Sequence, residues 1–356
     1  MPQAGDLHRR GLSSRRRRGR VAVVAGAAAV VAVVVVVAAA VLSDDDTPHE
    51  RVAATGSSSA PSTTVPTAST RPTAPAVSPA PASLDVDREY AVFTAARTFV
   101  DPSRPTSPNG SFGGAPDRTF PVSFWYPEGP GPFPLVLFSH GYAVTPDFYT
   151  PMLERWAAAG YVIAAPAYPI LSGSPGGASH VDYEQTFADT TFVITQVLAL
   201  GSGDPIGKLV DPSRVATAGH SDGEAIAFGV GFLECCRDPR VKSVVALAGN
   251  LENVNNPHVR DTGTPILHVM ETGDEFNPYP ASIAWDRANL TAPRWLLTLE
   301  GATHVPPYNV PGDRHFELLA VAVVDFFDGT LKGHPERLDR MAATLAAAPD
   351  LATLER

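Results

Sequence analysis

The sequence predicts an α/β protein whose mainly parallel central sheet is flanked by helices. Strand-like runs alternate with helix-like runs from about residue 86 onward. Strands that alternate with helices are usually joined by right-handed crossovers into a parallel sheet. The later strand-like runs are also continuously apolar and rich in Val, Ile and Leu, which is typical of strands buried on both faces.

The predicted elements follow one another in a regular order. Eight strands are predicted, at 90–99, 120–126, 135–139, 161–165, 215–219, 241–247, 266–270 and 295–299. Five helices are predicted between and after them, at 148–159, 183–200, 221–233, 281–288 and 315–327. These elements define a folded domain at 86–332. Leu, Met and Ala at helical spacing then predict a helical tail at 333–356.

The N-terminus combines a basic segment with an apolar one. Residues 1–20 hold seven arginines and one acid, and residues 21–42 hold no polar side chain. Twenty-two helical residues rise about 33 Å, which is enough to cross a hydrocarbon core of roughly 30 Å. We expect a transmembrane signal anchor, with residues 1–20 in the cytoplasm and the folded domain outside. A cleaved signal peptide, which leads to a secreted protein, is the alternative.

Residues 43–85 are predicted to be a disordered linker. They consist mainly of Ser, Thr, Pro and Ala, and they lack the apolar surface that would offset the entropy of ordering them.

Beyond residue 20 the chain carries 20 basic and 36 acidic side chains. Because nucleic-acid binding requires clustered Lys and Arg, this balance argues against nucleic acid as a partner.

The cysteines and histidines show no spacing typical of metal ligands. We therefore expect no metal and no cofactor. The two cysteines, Cys235 and Cys236, are adjacent. A ring between neighbouring cysteines is rare, so that two free thiols are the expectation.

The pentapeptide at 219–223, Gly-His-Ser-Asp-Gly, follows an apolar run and precedes a predicted helix. This G-x-S-x-G pattern is typical of a nucleophile elbow, a sharp turn that exposes a serine at the top of a sheet. The glycines are required because a Cβ at either position would clash where the backbones approach closely. Ser221 is therefore the candidate nucleophile.

A serine nucleophile needs a histidine to accept its proton and a carboxylate to orient that histidine. In this topology the acid and then the histidine follow the serine, each after a later strand. Asp274 follows the seventh predicted strand and His304 follows the eighth. Both lie where ligands bind in open α/β sheets. Glu271 and Glu275 flank Asp274 and are the alternatives for the acid.

Acyl transfer also requires N–H donors that face the oxyanion. The backbone N–H of Asp222, directly after the candidate nucleophile, is the first candidate. The N–H of Tyr142, in the His-Gly-Tyr loop after the predicted strand 135–139, is the second. The ring of Tyr142 is expected either to line the acyl pocket or to be a buried aromatic without substrate contact.

Four segments together resemble the secreted α/β-hydrolases: 133–142, the pentapeptide, Thr-Gly-Asp at 272–274 and Gly-Ala-Thr-His at 301–304. The branch to which they are similar holds cutinase-like polyester hydrolases, chlorophyllase-like proteins and platelet-activating-factor acetylhydrolase-like esterases, with dienelactone-hydrolase-like proteins. The resemblance covers about residues 88–330. It implies a Ser-His-Asp esterase that needs no cofactor, with Ser221, Asp274 and His304 as its triad.

The chain departs from the pattern of these families in two places. Asp222 and Glu224 stand where an apolar and a small residue are usual, and we expect both to point away and to make local hydrogen bonds. The loop after the predicted strand 241–247 lacks the aromatic residue of polyester hydrolases.

About 18 residues separate the predicted strand 241–247 from the next strand, too few for a large cap domain. The site is therefore expected to be open.

These observations predict an extracytoplasmic serine hydrolase that cleaves esters of a small molecule, a lipid or a polymer through an acyl-enzyme. A serine peptidase or amidase with the same triad is the alternative among enzymes. A non-catalytic envelope binding protein on a degenerate hydrolase scaffold is the alternative outside them, and it is suggested by Asp222 and Glu224.

Overall fold

The structure, a computed structural model, describes residues 84–250, 258–260, 262–291 and 293–356. The predicted basic segment, the predicted anchor and nearly all of the predicted linker lie outside these residues. Within the described part of the chain, no helix combines the length and the apolar composition needed to cross a bilayer.

Nine strands form one sheet in the described residues, in the order β1-β2-β4-β3-β5-β6-β7-β8-β9. The strands are β1 Val92–Asp101, β2 Arg118–Pro127, β3 Phe133–Ser139, β4 Val162–Pro166, β5 Val210–His220, β6 Val241–Leu247, β7 Ile266–Glu271, β8 Arg294–Leu299 and β9 Ala352–Glu355. The six central strands, β4, β3, β5, β6, β7 and β8, run parallel to one another. Those at the two edges pair antiparallel.

Helices cover both faces of this sheet. They are α1 Thr150–Ala158, α2 Gln185–Ala199, α3 Asp222–Phe232, α4 Tyr279–Asn289, α5 Pro306–Asn309, α6 Arg314–Leu331 and α7 Glu336–Ala346. Side chains of α1, α6 and α7 share one apolar cluster with Val136 and Phe138 of β3. Side chains of α2 and α3 share another with Leu135 and Leu137. Because successive residues of a strand point to opposite faces, the two clusters are the two layers of the core.

The predicted fold class is confirmed, and each predicted strand and helix has a counterpart within a few residues. Between β6 and β7 the described residues contain no helix. The prediction of a wholly helical tail at 333–356 is wrong at its end. There α7 stops at Ala346, and β9 pairs antiparallel with β8, Ala352 opposite Leu299. The pairing satisfies the otherwise open edge of β8, which short-range spacing does not reveal.

The expectation of two free thiols is also wrong. Cys235 and Cys236 form a disulfide in the turn after α3. Cys235 is exposed rather than buried. An exposed turn accommodates the ring between neighbouring residues.

Candidate active site

Ser221 stands at the sharp turn between β5 and α3. Its φ of 58° and ψ of −125° lie in a backbone region that residues other than glycine rarely adopt. A Cβ added to Gly219 would overlap the carbonyl oxygen of Gly223, and one added to Gly223 would overlap that of Ser139. Both glycines of the predicted elbow are therefore required by close backbone approach, and the turn presents Ser221 above the carboxyl ends of the strands.

The structure brings the three predicted triad residues together. His304 Nε2 lies 2.9 Å from Ser221 Oγ, and His304 Nδ1 lies 2.7 Å from Asp274 Oδ2. The other oxygen of Asp274 accepts the backbone N–H groups of Phe276, at 2.7 Å, and Asn277, at 2.9 Å. These bonds fix the carboxylate, whose side chain is fully buried. This arrangement lets the imidazole accept a proton from the serine while the carboxylate stabilises the imidazolium.

The two alternative acids have other partners. Glu271 is fully buried at the end of β7 and accepts a hydrogen bond from the hydroxyl of Tyr308. Burial, reinforced by the charge of Asp274, raises the pKa of Glu271 well above its ordinary value. Glu275 accepts the backbone N–H of His304 at 3.3 Å. Asp274 is thus the one of the three candidates whose carboxylate bonds to the imidazole.

The two predicted oxyanion donors belong to two segments that lie next to Ser221. Asp222 is the first residue of α3, where backbone N–H groups have no acceptor within the helix. The loop that bears Tyr142 passes close by, since a Cβ on Gly141 would lie 3.1 Å from Ser221 Cβ. An oxyanion requires two such N–H groups close to the hydroxyl.

His140 fixes the peptide that carries the N–H of Tyr142. The N–H of Tyr168 donates to His140 Nε2 at 3.0 Å, so the ring proton is on Nδ1. This Nδ1–H donates at 2.7 Å to the carbonyl of Gly141. Because the carbonyl and the N–H of a trans peptide point in opposite directions, the N–H of Tyr142 is directed away from His140. Burial lowers the pKa of His140 to about 4, which keeps the ring neutral.

This buried, neutral ring makes stability depend on pH. An unfolded chain protonates histidine near pH 6.5, whereas folded His140 does so near pH 4. Its contribution to stability is therefore lost as the pH falls from about 6.5 to 4, by roughly 3 kcal/mol in total. The free energy of unfolding, measured by urea titration, should fall between pH 7.5 and pH 5 in both proteins. The fall should be about 2 kcal/mol larger in the wild type than in His140→Gln. Equal losses in the two proteins would contradict this assignment.

A hydrogen-bonded chain of buried groups joins the oxyanion loop to the base. The N–H of Gly141 donates to the hydroxyl of Tyr149 at 3.1 Å, and that hydroxyl lies 2.9 Å from His220 Nδ1. His220 Nε2 lies 2.9 Å from the carbonyl of His304. Since a carbonyl only accepts, Nε2 carries the proton and the Tyr149 hydroxyl donates to Nδ1. Burial, together with nearby His304, lowers the pKa of His220 well below its ordinary value, so the ring is neutral.

Sequence reasoning missed Tyr149 and His220. His220 is the variable position of the pentapeptide, and a polar side chain directly before the nucleophile was the available signal. Tyr149 lies 71 residues away from it in the chain and gives no local signal of its own.

Tyr149→Phe is expected to lower kcat about tenfold and stability by about 1–3 kcal/mol. The change leaves the N–H of Gly141 and Nδ1 of His220 without a partner. The matched control is Tyr161→Phe, which removes an equally buried hydroxyl that bonds to Asp328. The control should be destabilised similarly but retain its kcat. Equal losses of kcat in the two variants would show that the chain does not position the site.

Each of the two acids around Gly223 has a partner other than Ser221. The carboxylate of Asp222 lies 2.6 Å from His180 Nε2, and this hydrogen bond raises the pKa of His180. Glu224 is fully buried and accepts the N–H of Gly249. Its second oxygen lies 3.2 Å from His268 Nε2. Glu224 therefore connects α3 to the loop after β6 and to β7. These contacts span more of the chain than the local hydrogen bond that the sequence led us to expect.

The buried cluster around Glu224 is charged. His268 Nδ1 also lies 3.1 Å from Asp286 of α4, and all three side chains are at most 1 % exposed. Burial alone would lower the pKa of His268, but Asp286 and Glu224 raise it well above its ordinary value. The imidazolium thus lies between the carboxylates of α3 and α4 and offsets part of their negative charge inside the core.

Aromatic rings flank the site. Phe276 is 39 % exposed and meets the ring of His304 edge-on, with centroids 5.0 Å apart. The ring of Tyr142 is half-buried, and its hydroxyl donates to the carbonyl of Ala178 at 2.9 Å. Among the described residues, no group of three or more potential ligands is placed to hold a metal ion.

Two comparisons with known proteins bear on this geometry. The family model described as chlorophyllase matches residues 109–253. A solved ferulic acid esterase from Streptomyces cinnamoneus is 23 % identical, with a TM-score of 0.55 over 74 % of this chain and 96 % of that one. The chain has the α/β-hydrolase fold. No curated protein matches it.

The match to the chlorophyllase model covers less than half of the chain. The matched residues include Ser221 and the loop with Tyr142, but they end before Asp274 and His304. The assignment of acid and base in this chain therefore depends on the distances given above.

Proposed function

We propose that the protein is a serine hydrolase that cleaves carboxylic esters through an acyl-enzyme. The observation that carries the proposal is the continuous contact from Ser221 Oγ through the imidazole of His304 to the carboxylate of Asp274. A hydroxyl that shares a hydrogen bond with a carboxylate-oriented imidazole is an activated nucleophile.

The chemistry follows from these positions. Ser221 Oγ attacks the ester carbonyl while its proton passes to His304 Nε2. The resulting oxyanion accepts the N–H groups of Tyr142 and Asp222. When the C–O bond breaks, the alcohol leaves with the proton from His304, and the acyl group stays on Ser221. Water then attacks this ester, again giving its proton to His304, and the acid is released as Ser221 regains its hydroxyl.

The surroundings of the site favour an accessible ester. The exposed ring of Phe276 offers an apolar contact beside His304. Small-molecule, lipid and polymer esters are therefore all in the proposed substrate class. Methyl ferulate is one of the esters to be tested, because the matched structure is a ferulic acid esterase.

Ester and amide substrates discriminate between this function and a peptidase. The purified full-length chain should hydrolyse p-nitrophenyl acetate and butyrate but not peptide p-nitroanilides. Ser221→Ala is the control for the assigned nucleophile, and its rate should fall to background. Preferential cleavage of the anilides would establish a peptidase or amidase instead, and no turnover of any substrate would favour a binding protein.

We also propose that residues 21–42 anchor the protein and place its hydrolase domain outside the cytoplasm. The length and apolar composition of this segment and the arginines before it support the proposal. In cells, the full-length chain should stay in the membrane after alkaline carbonate extraction, and external protease should degrade its domain. Release of a shortened chain into the medium would show signal cleavage instead.

A further inference from the structure

His180 joins the two residues that carry the candidate oxyanion N–H groups. Its Nε2 lies 2.6 Å from the carboxylate of Asp222. Its ring also stacks on Tyr142, with centroids 4.7 Å apart and an angle of 28° between the planes. Asp222 begins α3, whereas Tyr142 lies in the loop after β3. One imidazole therefore contacts side chains from two separate elements that meet at Ser221.

Neighbours of His180 hold this arrangement in place. The hydroxyl of Tyr183 donates to the backbone carbonyl of Asp222 at 2.7 Å, and the ring of Tyr183 meets His180 edge-on at 5.5 Å. The hydroxyl of Tyr142 donates to the carbonyl of Ala178 in the same loop. The loop from Ala178 to Tyr183 thus contacts each oxyanion residue at a second point, so that His180 is fixed relative to both.

We propose that His180 is a positioning residue that holds the N–H groups of Tyr142 and Asp222 at the separation that the oxyanion requires. This inference rests on the proposed function. An oxyanion hole must keep its donors within a few tenths of an ångström of their working positions. A stacked ring on one side and a short charge-assisted hydrogen bond on the other satisfy that requirement across two elements.

The same contact explains why an acid can follow the nucleophile. A free carboxylate at Asp222 would repel a developing oxyanion if it turned inward. The hydrogen bond to His180 holds the carboxylate of Asp222 outward, and this side chain is 29 % exposed. The first turn of a helix also favours a negative charge at this position. His180 therefore both positions the donors and keeps the carboxylate away from them.

His180→Ala tests the proposal without threatening the fold, because the side chain of His180 is 56 % exposed. With p-nitrophenyl acetate, kcat should fall about tenfold while KM changes less than twofold, since misplaced oxyanion donors act on the transition state. Inhibition by an aryl trifluoromethyl ketone, which forms a charged tetrahedral adduct, should weaken by the same factor. His180→Gln, which keeps a donor for Asp222, should recover part of the loss.

Two further variants make the outcome specific. Val181→Ala alters the neighbouring exposed side chain and should leave both constants within twofold of the wild type. His180→Ala combined with Asp222→Ala should be no slower than His180→Ala alone, because the two residues act through one contact. An active wild type with unchanged kcat and inhibition in His180→Ala overturns this inference alone. An inactive wild type overturns the proposed function as well.

Discussion

Replacing Ser221 by alanine is expected to lower kcat for p-nitrophenyl acetate by about 10⁶-fold, to the limit of detection. The variant lacks the oxygen that attacks the ester, while the contact between His304 and Asp274 remains possible. His304→Ala should cost a similar factor, because the hydroxyl then loses the base that contacts it. The double variant should be no slower than either single one, since the two residues act as a unit.

A serine outside the site provides the control for this prediction. Ser213 is exposed and its hydroxyl bonds to Asp211, so Ser213→Ala should keep the wild-type kcat. Rates are measured on folded protein, verified by its thermal unfolding. Residual activity above one-hundredth of the wild type in Ser221→Ala would mean that another group is the nucleophile.

Asp274→Asn should lower kcat by about 10⁴-fold with little effect on folding. The amide oxygen of asparagine can still accept the N–H groups of Phe276 and Asn277. Its NH₂ group, however, would donate to His304 Nδ1, so the ring proton would move to Nε2. A protonated Nε2 cannot accept the proton of Ser221. The loss of kcat therefore arises from the wrong tautomer of His304.

Glu275→Gln is the companion variant, because it alters the neighbouring acid but keeps an oxygen for the N–H of His304. We expect less than a tenfold loss of kcat from it. The measurement is kcat for both variants at pH 8, with unfolding free energies from urea titration. A larger loss in Glu275→Gln than in Asp274→Asn would transfer the role of the acid to Glu275.

The part of the site that was predictable from sequence is the part with local signals. Ser221 lies between two glycines that the turn requires, and Asp274 and His304 each follow directly on a buried strand. Strand ends meet at one edge of a parallel sheet, so that chain order alone places these residues near one another. The fold class was predictable for the same reason, since buried strands and amphipathic helices have distinct periods.

The supporting residues could not be predicted, because their contacts join distant segments. His220 meets Tyr149 across 71 residues, and His180 meets Asp222 across 42. Histidine and tyrosine are common in cores and loops alike, and only tertiary packing decides which of them bond. The strand β9 could not be predicted either, because it is stabilised by pairing with β8 and not by its own four residues.

The acids on either side of Gly223 depart from the family pattern, and the structure shows which groups they contact. From sequence, Asp222 and Glu224 also suggested a scaffold that has lost its activity. The structure gives each a partner away from the nucleophile, His180 for Asp222 and the N–H of Gly249 for Glu224. Neither carboxylate therefore opposes the proposed chemistry at Ser221.

The most direct test of the proposed nucleophile is labelling with a fluorophosphonate, followed by intact mass and peptide mapping. The reagent forms a covalent bond with a serine that its histidine has activated. We predict one adduct per folded chain, located on Ser221, with none in Ser221→Ala and much slower labelling in His304→Ala. A folded wild-type protein that gains no adduct, or one that carries it on another residue, would contradict the assignment of Ser221 as the nucleophile.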